Sequence, residues 1–130
     1  MVDLQLNKLN IYSDKETYEL LFNIEKHKLT EIFQATKAVI IDRRVWQLYK
    51  NKLKLDLGKL IFVDATEDKK RPNESFDICE QLISLGVKRN DSIVAVGGGI
   101  TQDLVTFASS ILFRGIKWIW LPTTLLAQAD

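Results

Sequence analysis

A chain of 130 residues, 46% hydrophobic and 27% charged, has room for one domain with a real core and needs no disulfide or metal to hold it. A net charge of +1 gives no electrostatic basis for a nucleic-acid or membrane-surface partner. The single cysteine excludes an internal disulfide, and no apolar run approaches the length of a membrane span.

The N-terminal stretch MVDLQLNKLNIYSDKE carries charges where a signal peptide needs an apolar core, so the expected location is cytoplasmic. Lys8 to Tyr12 and Tyr18 to Phe22 are short β-prone runs around the polar Ser13-Asp14-Lys15-Glu16, which predicts a hairpin or edge ribbon. Ile24, Leu29, Ile32 and Phe33 recur at helical spacing over Ile24 to Gln34. His27 lies there among lysines and glutamates and reads as solvated. Ala38 to Ile41 is a continuous apolar run ending at Asp42, as expected of a strand buried on both faces, and Val45 to Leu53 is the helix after it.

Lys59 to Val63 is the next strand, ending at Asp64. The polar run Ala65 to Ser75 follows, with a helix starting at Asn73 or Glu74 that carries Phe76, Ile78, Cys79, Leu82, Ile83 and Leu85. Cys79 on that amphipathic pattern reads as a small buried hydrophobe, and with one cysteine and one histidine the chain is a poor zinc ligand set. Gly86 suits the position just past that helix. Ser92 to Val96 and Lys117 to Leu121 are the last two strands, with a helix between them. Strands and helices thus alternate after the ribbon, which predicts an α/β fold: a Rossmann-like parallel sheet flanked by helices, wound right-handed, with an N-terminal β-ribbon.

Ligands of such sheets bind at the carboxyl ends of the strands. Asp42, Asp64–Lys70, Gly97–Asp103 and Pro122–Thr124 all fall there. Gly97, Gly98 and Gly99 remove every Cβ from the turn, and a helix starting at such a turn offers free N–H groups to an anion. The run is neither GxGxxG nor GxxxxGK[ST], so a P-loop nucleotidase is disfavoured, and a purely structural turn stays open. Asp103 either complements the helix dipole or accepts hydrogen bonds from a ligand in the turn. Asp42 either caps the next helix or holds a ribose hydroxyl. Thr123 and Thr124 follow Pro122 and can cap or donate to phosphate. Arg114, before Gly115, can bond helix-end carbonyls or fork around a phosphate. Trp118 and Trp120 lie on one side of a strand and suit core or subunit packing.

Together these residues resemble the N-terminal half of the 3-dehydroquinate synthase family of sugar phosphate cyclases. The match is carried by Gly97-Gly98-Gly99-Ile100-Thr101-Gln102-Asp103, by Arg114-Gly115 and by Pro122-Thr123-Thr124-Leu125-Leu126-Ala127-Gln128-Ala129-Asp130. The resemblance implies an NAD-binding domain, residues 1–130, of a longer enzyme whose C-terminal metal-binding domain is absent. Asp42 would hold the adenosine ribose. Glu67 and Lys70 match the family's cofactor loop, Gly98, Gly99, Thr123 and Thr124 would face the pyrophosphate, and Asp103 would lie near the nicotinamide ribose. Arg114 would reach the substrate phosphate, often across a dimer interface, and Asp130 would bind substrate hydroxyls.

The implied reaction is a phosphate-eliminating carbon–oxygen lysis of a sugar phosphate, with oxidation, elimination, reduction and ring closure. NAD is the implied cofactor, with a divalent metal, zinc, bound in the parent enzyme by ligands outside this chain. The expected assembly is a homodimer, and the isolated 130-residue chain is expected to be inactive. Gln102 in place of the family's glycine, and Thr66-Glu67-Asp68-Lys69-Lys70 in place of GEKxK, leave both the shikimate enzyme and a cyclase-like paralogue open. A polyol or iron-type alcohol dehydrogenase-like enzyme, and a non-catalytic nucleotide-binding module, are the alternatives.

Overall fold

A computed structural model describes residues 2–5, 8–12, 17–21, 26–124 and 128. The chain divides into two compact units, Met1–Ile32 and Phe33–Asp130. The first is an antiparallel ribbon of three strands in sequential order, β1 (Val2–Gln5), β2 (Lys8–Tyr12) and β3 (Thr17–Leu21). The sequence predicts the second and third of these. Val2–Gln5 joins them through pairs such as Leu4 with Leu9. Helix α1 (Lys26–Ala35) follows, and Lys59 Nζ donates to the carbonyls of Phe33, Gln34 and Thr36 at 3.5, 3.4 and 3.0 Å, a cation at the helix C-terminus.

The second unit is built on four parallel strands: β4 (Ala38–Asp42), β5 (Leu60–Val63), β6 (Ser92–Gly97) and β7 (Lys117–Pro122), in the order β5-β4-β6-β7. β4 and β6 are the central pair. Val39, Ile40 and Ile41, with Ile93, Val94 and Ala95, are all essentially inaccessible, as their uninterrupted apolar runs require. The crossover from β4 to β5 runs one way, and the crossover from β5 returns past β4 to β6. The order therefore reverses between β4 and β6, and a crevice opens at their carboxyl ends.

Three helices make the crossovers: α2 (Arg43–Tyr49), α3 (Pro72–Ser84) and α4 (Gly99–Ile111). Helices α3 and α4 share one face, where Ile78, Cys79, Leu82, Leu104, Val105 and Ala108 close over Ala38, Ile40, Ile61, Ile93 and Ala95. Ser75 Oγ, buried between them, donates to the Leu104 carbonyl at 2.9 Å. Trp118 and Trp120 pack against this core, with ring centroids 6.1 Å apart, so their expected packing role holds.

Local chemistry sets the boundaries. Pro72 is the first residue of α3, one or two residues earlier than expected, because proline's missing N–H costs nothing in a first turn. Helix α2 ends at Tyr49, short of Leu53, in a turn over Lys50-Asn51-Lys52. At the end of α3, Gly86 takes φ 78°; its N–H bonds the Ile83 carbonyl and the Val87 N–H bonds that of Leu82. These are the two bonds of a Schellman stop. Among the described residues, no helix is long and apolar enough to cross a membrane.

Candidate functional site

The site is assembled at the carboxyl rim. Strand register aligns the four ends: Asp42 pairs with Val63, Ile41 with Val96, and Gly97 with Pro122. Asp42, Asp64, the glycine turn and Thr123 therefore stand side by side. The Thr123 N–H donates to the Gly97 carbonyl at 2.8 Å, tying the end of β7 to the turn.

The three glycines serve different ends. A Cβ on Gly97 would stand 2.6 Å from Thr101 Oγ1 and 2.8 Å from Thr101 Cβ, so the first glycine lets the helix fold back over the strand end. A Cβ on Gly98 would stand 3.1 Å from Thr124 Cγ2, so that threonine's methyl occupies the second position. A Cβ on Gly99 would meet nothing within 4 Å. Neither packing nor a positive φ demands glycine there, and the open side lies at the first residue of α4. That helix has Gly98 as its N-cap, with no side-chain cap bond. The N–H groups of its first turn are left for an acceptor from outside the helix. Thr101 Oγ1, fully buried beneath the turn, has no hydrogen-bond partner either.

Lys70 and Asp103, far apart in sequence, form an ion pair with Nζ–Oδ2 at 2.6 Å. Lys70 follows the short 3₁₀ turn Glu67–Lys69, and Asp103 lies one turn into α4. The hydrogen bond and charge of Asp103 raise the Lys70 ammonium above the ordinary lysine value, with Glu67 adding to the field. Thr66 bonds the Asp68 carboxyl and helps lower it below the carboxylate norm. Both side chains of the pair line a cleft, together with Arg71, Pro72, Ser75, Leu104 and Phe107. Both side chains remain about half exposed, which leaves them accessible to a ligand.

Asp42 acts as a helix cap with one oxygen: its Oδ1 accepts from the Arg44 N–H at 2.8 Å. Glu67 is exposed on the loop before Lys70. Arg114 is not brought to this rim. Helix α4 runs away from the glycine turn for 13 residues, about 20 Å at 1.5 Å per residue, and Arg114 lies just past its far end. There Phe113, Arg114 and Gly115 adopt φ of 52°, 64° and 112° in succession. Asp130, with Leu125 to Ala127 of the same motif, lies outside the described residues.

A contact that the sequence pattern does not announce stands beside Asp42. Arg43 Nε donates to Asp64 Oδ1 at 2.8 Å, and its guanidinium carbon lies 5.0 Å from the centroid of the Phe62 ring. Only the parallel register of β4 and β5 brings these residues together.

A reversing parallel sheet with a glycine turn at the switch point defines a doubly wound α/β domain. Residues 60–130 match the family model described as 3-dehydroquinate synthase N-terminal, and the chain belongs to that family. It is 35% identical to the 3-dehydroquinate synthase of Streptococcus sanguinis (strain SK36), over 95% of this chain and 38% of that one. Over 54% of its length it is 49% identical to the 3-dehydroquinate synthase of Zymomonas mobilis subsp. mobilis. The chain thus spans less than two fifths of the curated relatives it matches.

Among solved structures it is similar to ValA, a 2-epi-5-epi-valiolone synthase from Streptomyces hygroscopicus subsp. jinggangensis 5008 with NAD+ and Zn2+ bound. The TM-score is 0.69 at 27% identity, over 78% of this chain and 30% of that one. A 2-deoxy-scyllo-inosose synthase complexed with carbaglucose-6-phosphate, NAD+ and Co2+ shares the fold at TM-score 0.71 and 24% identity, over 95% of this chain and 37% of that one.

Proposed function

We propose that this chain is the NAD-binding part of a 3-dehydroquinate synthase-like cyclase acting on a sugar phosphate. The observation that carries the reading is Gly99, a glycine with open space on its Cβ side at the uncapped start of α4, just past the switch-point strand β6. Backbone can approach a pyrophosphate closely there, and only there in the turn. NAD, when bound, would supply the hydride acceptor and donor of the reaction.

The residues of this chain bind and orient. The first N–H groups of α4 and the open face of Gly99 receive the pyrophosphate, with Gly98, Thr123 and Thr124 forming the adjoining wall. The free oxygen of Asp42 accepts from the adenosine ribose. Lys70 and Asp103 give up part of their mutual contact to the nicotinamide end, and Glu67 joins Lys70 in contacting the cofactor from the same loop. The described residues include no group of three His, Cys, Asp or Glu side chains able to hold a metal ion. No step is therefore assigned to a metal on this chain.

The distance of Arg114 from its own glycine turn supports a homodimer in which each Arg114 serves the site of the other subunit. Asp130 would bind substrate hydroxyls. The short span of the chain relative to its relatives supports NAD binding without turnover by these 130 residues alone. Calorimetric titration with NAD and ADP-ribose tests the reading. Saturable binding of both by the wild type, weakened at least about tenfold by Gly99→Val, is expected. Absence of binding in the wild type, or cyclisation by the 130-residue chain, would overturn it.

A further inference from the structure

We propose that Asp64 is a positioning residue that sets the preference of this site between dinucleotides with and without a 2′-phosphate, by holding Arg43 away from the ribose. The inference rests on the reading of Asp42 as the ribose residue.

Asp42 ends β4, and register places it beside Val63, so Asp64 is the next residue at the end of the neighbouring strand. Arg43 follows Asp42 directly. Its Nε–H bonds Asp64 Oδ1 at 2.8 Å, and its guanidinium lies over Phe62, whose ring is braced by Trp46 at 6.1 Å. Phe62 and Asp64 belong to the β5 side of Asp42, and the glycine turn belongs to the β6 side. The cation is thus drawn over the outer strand.

The charges around the end of β4 are Asp42 and Asp64 against Arg43 and Arg44, a balance of zero. A ribose 2′-hydroxyl is neutral and donates to Asp42. A 2′-phosphate meets the Asp42 carboxylate and finds the adjacent arginine engaged with Asp64. Without Asp64 the balance becomes +1, and Arg43 keeps a planar fork suited to bidentate phosphate binding. Asp64 is exposed, so its removal opens no hole in the core.

The test is calorimetry of the 130-residue chain with NAD and NADP, at low salt and at 0.5 M salt, roughly a 4 Å screening length. Four variants are compared: Asp64→Ala, Asp64→Glu, and Asp64→Ala combined with Arg43→Gln or with Arg44→Gln. In Asp64→Ala, NADP affinity should rise about tenfold while NAD stays within about twofold, and the gain should shrink at high salt. Asp64→Glu should keep the wild-type ratio. Adding Arg43→Gln should cancel the gain, and adding Arg44→Gln should leave most of it. An unchanged NAD-to-NADP ratio in Asp64→Ala, or a gain that survives Arg43→Gln, overturns the proposal while leaving the NAD site intact. A wild type that binds neither dinucleotide overturns the site reading and this inference with it.

Discussion

Alanine at Gly97 and alanine at Gly99 are expected to do opposite things. At Gly97 the new methyl collides with the side chain of Thr101, which is held by the helix it belongs to, so α4 must shift. A loss of about 1–3 kcal/mol is expected in urea or thermal unfolding. At Gly99 the methyl enters open space, so stability should stay within about 0.5 kcal/mol while NAD affinity falls. Equal loss of stability at both positions would mean that the turn is only structural. Lys70 gives a pH signature. Its ammonium is raised above 10.5, so the folded state holds that proton more tightly than the unfolded chain does. The contribution of the pair is complete below pH 10.5 and is lost as pH rises through the folded value. Lys70→Met should therefore have a lower melting temperature than wild type at pH 7 to 9, with the gap closing above pH 10.5. At this residue scale the sequence singles out Lys70 and Asp103 separately but not their ion pair, which depends on how two loops meet in space.

The pairing of α3 with α4 fixes the back wall of the cleft. Ser75→Ala should cost about 1 kcal/mol, because it removes a buried side-chain hydrogen bond that runs from the first turn of α3 to α4. Further along α3, burial raises the Cys79 thiol above its ordinary 9.0, and Sγ lies 3.5 Å from the Ala108 carbonyl. A neutral, enclosed thiol should resist a thiol reagent at pH 8 until the chain unfolds. Its stabilising share is lost as pH rises past 9.0, since the folded state keeps the proton longer. The elements themselves were largely legible. The apolar runs at 38–41 and 93–96 became the central strands, and both are buried on both faces. Val2–Gln5 escaped because its four residues carry a charge and no turn signal, and only pairing with β2 makes them a strand. A start at Asn73 or Glu74 is one or two residues late, because the fixed φ of Pro72 already suits the first position of α3.

For the whole molecule, the order β5-β4-β6-β7 determines which residues can share a site. It brings Asp42 beside the glycine turn, as alternating strands and helices suggested, and it leaves Arg114 at the other end of α4. The helix expected between the last two strands already implies that separation, and the thirteen residues of α4 set its length. The proposed dimer makes a prediction that can be checked in any full-length cyclase built on this sequence. Arg114→Ala and Asp103→Asn variants, each inactive alone, should recover about a quarter of wild-type activity when mixed and allowed to exchange subunits. No recovery would argue against a shared site. The unequal room around the two glycines has one more consequence, for descent rather than chemistry. In a lineage that had given up its ligand, position 99 would be free to acquire side chains, while position 97 would stay glycine as long as the chain still folded.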